Sequence, residues 1–333
     1  MKKRGRGIAT IMFGFGYGEG FPDHSIAAIE IKEQGPILVK TAAADVGQGV
    51  LTVLTQIAAE VLRVAPDRIV LSAGDTALTK NAGSTSATRQ TYFTGSAVQK
   101  AAEGVLALLY HYGSLALHCN HPELVVKDGR VYRYDRPDHF MSYQELARLA
   151  HEKGELLQTE ASFFPRTDAP DPETGQGERV YVAYTFMTQI AEVEVDTATG
   201  LVEVLRFDTA LDLGKALNPQ AVEGQIEGGT VMGMGMALME EQVIKAGITL
   251  NPDLTGYLIP TALDCPPFYS RLVENKDAAG PFGAKGIGEP VTIGATPALA
   301  NAIYAAIGIR FFELPITPDK IIKALRQEQG TNG

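Results

Sequence analysis

Glu289, in Lys285-Gly-Ile-Gly-Glu-Pro290, is an acidic residue among glycines with no polar neighbour beyond Lys285 and Thr292. A carboxylate in such a setting is expected to be poorly hydrated, which suits a general base working near neutral pH. A helix-capping glutamate is the alternative reading of the same residue. The segment also belongs to a set. Asp45-Val-Gly-Gln-Gly49, Gly83 to Thr91 and Gly286 to Gly294 each read as a strand end, a glycine- or hydroxyl-rich loop, and a helix N-terminus. Unpaired backbone N–H groups at such ends bind anions without any lysine. Three in one chain point to a large anionic ligand, although glycine ahead of a helix is also simply a turn.

A helix starting near Pro219 carries Gly224, Gly228, Gly229, Gly233 and Gly235. Each glycine in a helix interior costs about 0.5–1 kcal/mol relative to alanine, so something must pack close to this backbone, either a second helix or a cofactor. Met232, Met234, Met236 and Met239 read as core filler. The tract Gly14-Phe-Gly-Tyr-Gly-Glu-Gly20 is not a dinucleotide fingerprint, because it precedes a hairpin instead of joining a strand to a helix. The six histidines show no metal-ligand spacing, and Cys119 and Cys265 form no cluster motif, so no protein-ligated metal is expected.

The elements that must position these residues follow from periodicity. Strands are expected at Ser25 to Ile31, Ile37 to Ala43 and Ile69 to Ser72, with helices after Gly49 and from the Ser/Thr tract to about Tyr112. Residues 122–152 read as a hairpin and a helix, and Phe164 to Glu178 as a linker. Strand, glycine turn, strand, Asp-x-Gly, helix then recurs: it occurs at 25–62 and again at 189–241. The expectation is an α+β fold of two similar lobes, mixed sheets with helices packed on them, over 1–163 and 179–333, joined by 164–178. A helix should follow from Pro297 to Ile307, and another from Pro318. The 333 residues carry a net charge of −10, which excludes nucleic acid as the main partner. The basic cluster Lys2, Lys3, Arg4, Arg6 reads as a frayed end. No apolar run of about 18 residues and no secretory signal are apparent, so a cytoplasmic protein is expected.

Four blocks in order resemble the molybdopterin-binding region of the xanthine dehydrogenase/aldehyde oxidase family: Asp45 to Gly49; Asn81 to Gly95; Asp212-Leu-Gly-Lys-Ala-Leu-Asn-Pro219 with Glu223-Gly-Gln-Ile-Glu-Gly228 and Met239-Glu-Glu241; and Gly283 to Pro290. The resemblance implies that Gly47, Gln48 and Gly49 border the cofactor beside the metal. It implies that Thr85, Ser86, Ala87, Thr88 and Thr91 wrap the pterin and its phosphates, and that Gln225 contacts the pterin. Glu289, next to Gly288, would be the base beside molybdenum, and Tyr17 would line the substrate pocket. Molybdenum would be held through the pterin dithiolene, with the pterin in its cytosine dinucleotide form. The implied reaction hydroxylates an electron-poor carbon of a purine, nicotinate-like heteroaromatic or aldehyde, with water as the oxygen source. The family's FRGFG-type loop and first half are missing from this sequence. That implies a separate subunit, as in split nicotinate dehydrogenases, working with a first-half subunit, a [2Fe-2S] subunit and an FAD subunit. A non-catalytic scaffold of such a complex is the alternative. Substrate, electron acceptor and oligomeric state are not legible.

Overall fold

The computed structural model describes residues 1–331. The chain forms two units, neither continuous in sequence. An inserted unit comprises Gly14–Ala183 and Lys276–Gly286; a terminal unit comprises Met1–Phe13, Tyr184–Asn275 and Ile287–Gly333. This division differs from the expected break at 164–178. The chain opens with strand β1 (Lys2–Gly14), which belongs to the sheet of the later residues. The 164–178 stretch stays within the inserted unit, where the Asp168 N–H donates to the Arg179 carbonyl at 2.9 Å and Gly20 N–H to Thr167 Oγ1 at 3.1 Å.

The inserted unit contains β2 (Ser25–Ile31), β3 (Ile37–Thr41), α1 (Val50–Leu62), β4 (Ile69–Ala73), α2 (Gln90–Leu117), β5 (Leu124–Lys127), β6 (Arg130–Arg133), β7 (Arg136–Ser142), α3 (Tyr143–Glu152) and β8 (Gln158–Phe163). Its main sheet runs β4-β3-β2-β8. β2 pairs antiparallel with β3 and β8, and β3 parallel with β4. Alternation buries Ala27, Ile29, Ile31, Ile37 and Val39 on one face. α2 lies against β2 and β8, and α1 against α2. β5, β6 and β7 make a second small sheet, where a simple hairpin was expected. Ser142 and Glu145 close a capping box that starts α3.

The terminal unit adds β9 (Tyr184–Asp196), β10 (Val202–Asp212), α4 (Pro219–Leu238), the short pair β11 (Ile244–Lys245) and β12 (Ile248–Thr249), β13 (Phe268–Val273), α5 (Pro290–Ile293), α6 (Ala295–Ile307) and α7 (Pro318–Thr331). Its sheet runs β1-β9-β10-β13, with β9 and β10 antiparallel and β10 and β13 parallel. Arg4–Glu194, Arg6–Glu192 and Thr10–Thr188 contacts run in opposite senses along β1 and β9, so this pair is antiparallel. Each unit therefore has a central hairpin, a parallel strand beyond its second member after a helix, and an antiparallel strand beyond its first. The lobes expected from the recurrence are present, with the outer strand supplied after α2 in one and from the N-terminus in the other.

The basic N-terminus is thus not frayed. Lys2, Arg4 and Arg6 pair with Glu194 and Glu192 along β1. Gly5 and Gly7 let α6 lie directly on this strand, since a Cβ at either would come within 2.2 Å of the Ala302 or Ala298 carbonyl oxygen. One helical stretch, Pro290–Ile307, reaches a mean hydropathy of 1.2 over 18 residues, where none of that length was expected. Its Ala295, Ala298, Leu299, Ala302 and Ile303 are buried with Val193, Val195 and Phe207, as in the core helix of a globular unit.

Candidate cofactor site

In the inserted unit the hydroxyl-rich loop ahead of α2 is built around a buried cation to which the sequence alone assigns no role. The Arg89 side chain is fully buried and its Nη2 lies 2.6 Å from the Asp23 carboxylate. Its Nε donates to Asp23 at 2.7 Å, Nη1 to the Ala82 and Ser84 carbonyls at 2.6 and 3.1 Å, and Nη2 to the His24 carbonyl at 2.7 Å. The guanidinium also lies over the Phe93 ring, 4.9 Å from its centroid. Asp23 accepts the Tyr17 N–H at 3.0 Å, so one ion pair ties the glycine-rich tract to the hydroxyl-rich loop. The loop then turns through Ala87 and Thr88, both left-handed with φ of 50° and 56°. Non-glycine residues take that conformation at a cost, and neighbours must hold them there. The Gly16 N–H donates to the Ala87 carbonyl at 2.8 Å, and Gly286 sits where a Cβ would fall 2.0 Å from the Thr88 carbonyl.

The structure gathers Tyr17, Thr85, Ser86, Ala87 and Thr88 around this loop. Tyr17 Oη donates to Ser84 Oγ at 2.9 Å and lies 3.3 Å from Ser86 Oγ. These bonds, first to Ser84 and then to Ser86, hold the phenol below its ordinary pKa. The Ser84 and Ser86 side chains are exposed. Thr85 Oγ1 is already engaged, donating to the Ala44 carbonyl at 2.7 Å and accepting Gln90 Nε2 at 3.2 Å. Behind it Gln90 accepts from Thr94, which pairs with Ser25, all three buried. Thr91 is half-buried in the first turn of α2.

The Asp45 to Gly49 loop departs from expectation. Its N–H groups are not open to an outside anion, because Asp45 accepts Gly47 N–H at 2.9 Å, Gly49 N–H at 3.2 Å and Leu51 N–H at 3.3 Å. Partial burial opposes ionisation of Asp45, but these backbone donors outweigh it and hold the carboxyl below its ordinary value. Gln48 folds onto the same loop, its Oε1 accepting Val46 N–H at 2.7 Å and its Nε2 reaching the Ala44 carbonyl at 3.4 Å. The Thr85 bond to Ala44 joins this loop to the hydroxyl-rich one.

In the terminal unit four of the five glycines of α4 divide into two groups. Gly229 and Gly233 seat α5 and α6: a Cβ would lie 2.4 Å from Val291 Cγ2 at the first and 2.5 Å from the Thr292 carbonyl at the second. Thr296 Oγ1 donates to the Gly233 carbonyl at 2.8 Å. Gly224 and Gly228 face open space, with nothing within 4 Å of a Cβ. The second-helix reading thus explains one pair, and the clearance reading suits the other. Gln225 lies one turn before Gly229 on α4, and Gly288 and Glu289 immediately precede α5, the short helix that Gly229 seats. Asn218 caps α4 by accepting Ala221 N–H at 3.1 Å, and Pro219 opens its first turn.

Glu289 holds the N-cap position of α5 but makes no side-chain capping bond, which disposes of the capping alternative. α5 itself starts at Pro290, earlier than the helix expected from Pro297. Glu289 and Gly288 are exposed, so the poorly hydrated carboxylate expected is not provided by this chain's own packing. Beneath the α5–α6 corner Gln189 is buried, donating to Thr230 Oγ1 at 2.8 Å and Thr209 Oγ1 at 3.2 Å. No three His, Cys, Asp or Glu side chains gather as a metal site among the described residues.

Each unit by itself offers donors to a bulky ligand with many acceptors. Gln225 lies between two glycines whose missing side chains leave an open helix face, and exposed hydroxyls line the loop before α2. Residues 1–266 match the family described as molybdopterin cofactor-binding domain. The xanthine dehydrogenase molybdenum-binding subunit of Escherichia coli O157:H7 is 32% identical over 302 residues, covering 89% of this chain and 38% of its own. The 6-hydroxypseudooxynicotine dehydrogenase complex subunit gamma of Paenarthrobacter nicotinovorans is 32% identical, covering 96% of this chain and 39% of its own. The crystal structure of quinoline 2-oxidoreductase from Pseudomonas putida 86 superposes with a TM-score of 0.83 at 29% identity, over 98% of this chain and 42% of that one. The chain spans about two fifths of the length of these relatives. It belongs to the molybdopterin cofactor-binding domain family.

Proposed function

We propose that this chain forms the second half of the molybdopterin site in a multi-subunit hydroxylase, and that Glu289 is its catalytic base. The reaction inserts water-derived oxygen at an electron-poor carbon of an N-heteroaromatic, purine or nicotinate-like, or of an aldehyde. The observation carrying this reading is the open face of α4 at Gly224 and Gly228, around Gln225, on the helix that seats α5, whose N-cap is Glu289. When bound, the molybdenum pterin supplies the two-electron oxidation. The rest falls to this chain's side chains. Gln225 hydrogen-bonds the pterin edge, Gly47, Gln48 and Gly49 border it, and the hydroxyls and backbone of Thr85 to Thr91 hold its phosphates in the cytosine dinucleotide form. Glu289 takes the proton from the attacking water-derived oxygen, and Tyr17 bounds the substrate. Because Glu289 is exposed here, ligand, substrate and the polypeptide matching the relatives' remaining length must exclude water from it. Iron–sulfur and FAD subunits carry the electrons away, and the complex is cytoplasmic.

The test is Glu289→Gln in the assembled complex, with molybdenum content measured alongside dye-linked turnover of xanthine, nicotinate and benzaldehyde. Loss of a positioned base should lower turnover at least about 10²-fold with metal retained. Undiminished turnover would remove Glu289 from the mechanism. A metal-free complex that still assembles would favour a scaffold instead.

A further inference from the structure

The segment that leads the chain to Glu289 is clamped along one stripe of α2. Tyr92, Ser96 and Gln99 recur at helical spacing and share a face of α2. Each meets a different part of residues 276–286. Tyr92 Oη donates to Asp277 Oδ1 at 2.7 Å, Ser96 Oγ to the Ala279 carbonyl at 3.2 Å, and the Phe282 N–H to Gln99 Oε1 at 3.1 Å. Gly286 lies on the Thr88 carbonyl, and Gly280 packs so tightly that a Cβ would fall 2.9 Å from Tyr92 Cε2. The segment is also closed on itself. Asp277 N–H donates to the Gly283 carbonyl at 3.0 Å, and Phe282 and Gly283 turn through left-handed φ of 52° and 91°.

A single oxygen organises this turn. Asp277 Oδ1 accepts Tyr92 Oη together with the N–H groups of Ala279 at 2.9 Å and Gly280 at 3.0 Å. Tyr92 is 1% exposed, and burial, then its bond to Asp277, raise its phenol above the ordinary value, so it stays a donor. We propose that Asp277 and Tyr92 are a positioning pair for Glu289. They set the register of residues 276–286 on α2, and with it the point, Gly286 against Thr88, from which the chain runs on to Glu289. This rests on the catalytic-base reading above. Since all three of these bonds use Oδ1, the pair needs an acceptor at 277 and not a charge.

That distinction supplies the test, made on the assembled, molybdenum-loaded complex. Amide exchange of peptides covering 276–289 is read beside kcat, KM and molybdenum content, with xanthine, nicotinate and benzaldehyde as probes. Asp277→Ala should speed exchange at Ala279 and Gly280 about five-fold or more. It should lower kcat by up to about 10²-fold, the effect of a roughly 1 Å misplacement, with KM and metal unchanged. Asp277→Asn keeps the acceptor and should stay near wild type in every readout, while Tyr92→Phe should lower kcat with KM unchanged. The inference is overturned if Asn damages the enzyme as much as Ala, if exchange does not change, or if KM and metal content fall with kcat. An inactive Glu289→Gln beside a normal Asp277→Ala sinks the positioning role alone. A fully active Glu289→Gln sinks the base reading and the positioning role with it.

Discussion

Replacing Asp23 by alanine removes the carboxylate paired with the buried Arg89 guanidinium, and the structure sets the scale of the damage. Arg89 keeps its bonds to the Ala82, Ser84 and His24 carbonyls, so its donors are not all stranded, but its charge is left uncompensated in the interior. Breaking one partner of such a pair costs about 3–5 kcal/mol. For a unit of this size each kcal/mol corresponds to about 2–4 °C, so the inserted unit should melt roughly 6–20 °C lower. Asp23→Asn, which retains an acceptor, should cost less, about 1–3 kcal/mol. The double variant Asp23→Leu/Arg89→Met should recover part of the loss, since it removes both charges, but only part, because the carbonyls lose their donors. The assay is differential scanning calorimetry of the chain, following the transition that moves. A shift below about 2 °C for Asp23→Ala, or a double variant no better than the single ones, would refute the idea that this pair ties the two loops together.

The glycines of α4 should separate in the same assay. Gly233→Ala drives a Cβ into the Thr292 carbonyl and should destabilise by about 1–3 kcal/mol, whereas Gly228→Ala projects into open space and should stabilise by about 0.5–1 kcal/mol. In the assembled complex Gly228→Ala should nonetheless reduce pterin content; equal effects of the two changes on melting would contradict the division. Asp45 should titrate below its ordinary value of 3.8 in a carboxyl NMR titration. Its folded-state pKa is depressed, so its stabilisation is present above that ordinary value and is lost only as the pH falls through the lowered one. Titration at or above 3.8 would show that the N–H groups at the start of α1 do not hold it.

Local patterns are readable where partners lie close in sequence. The hairpins β2–β3 and β9–β10 and the helices that follow them show in alternation, glycine turns and helical spacing, because each pairs with a neighbour in the chain. β1 looks like a fray in sequence because its stabilising partners, Glu192 and Glu194, lie far along the chain and no local rule connects them. β8 and β13 are outer strands whose partners are equally remote, and periodicity marks neither. Among the site residues, the hydroxyl-rich loop stands out by composition. Its organiser Arg89 does not, although one charge inside an otherwise uncharged Ser/Thr tract is the available sign. The Asp45 loop resembles an open anion site until the aspartate that starts it is counted as the anion already filling it, as an Asp ahead of a helix commonly does. Glu289 stands out in sequence by its setting among glycines, but the poor hydration expected from that setting is absent because the residue is exposed, its surroundings in this chain leaving it open.

The terminal unit draws on both ends of the chain, with the inserted unit between. During vectorial synthesis the N-terminal strand therefore emerges long before β9 exists to receive it, and it must wait, on the order of tens of seconds, with its edge unsatisfied. The inserted unit in turn lacks residues 276–286 until late. Nascent chains stalled near residue 180 should thus hold neither unit complete, and a nick in the 164–178 stretch should leave both units intact, because no severed piece corresponds to either one.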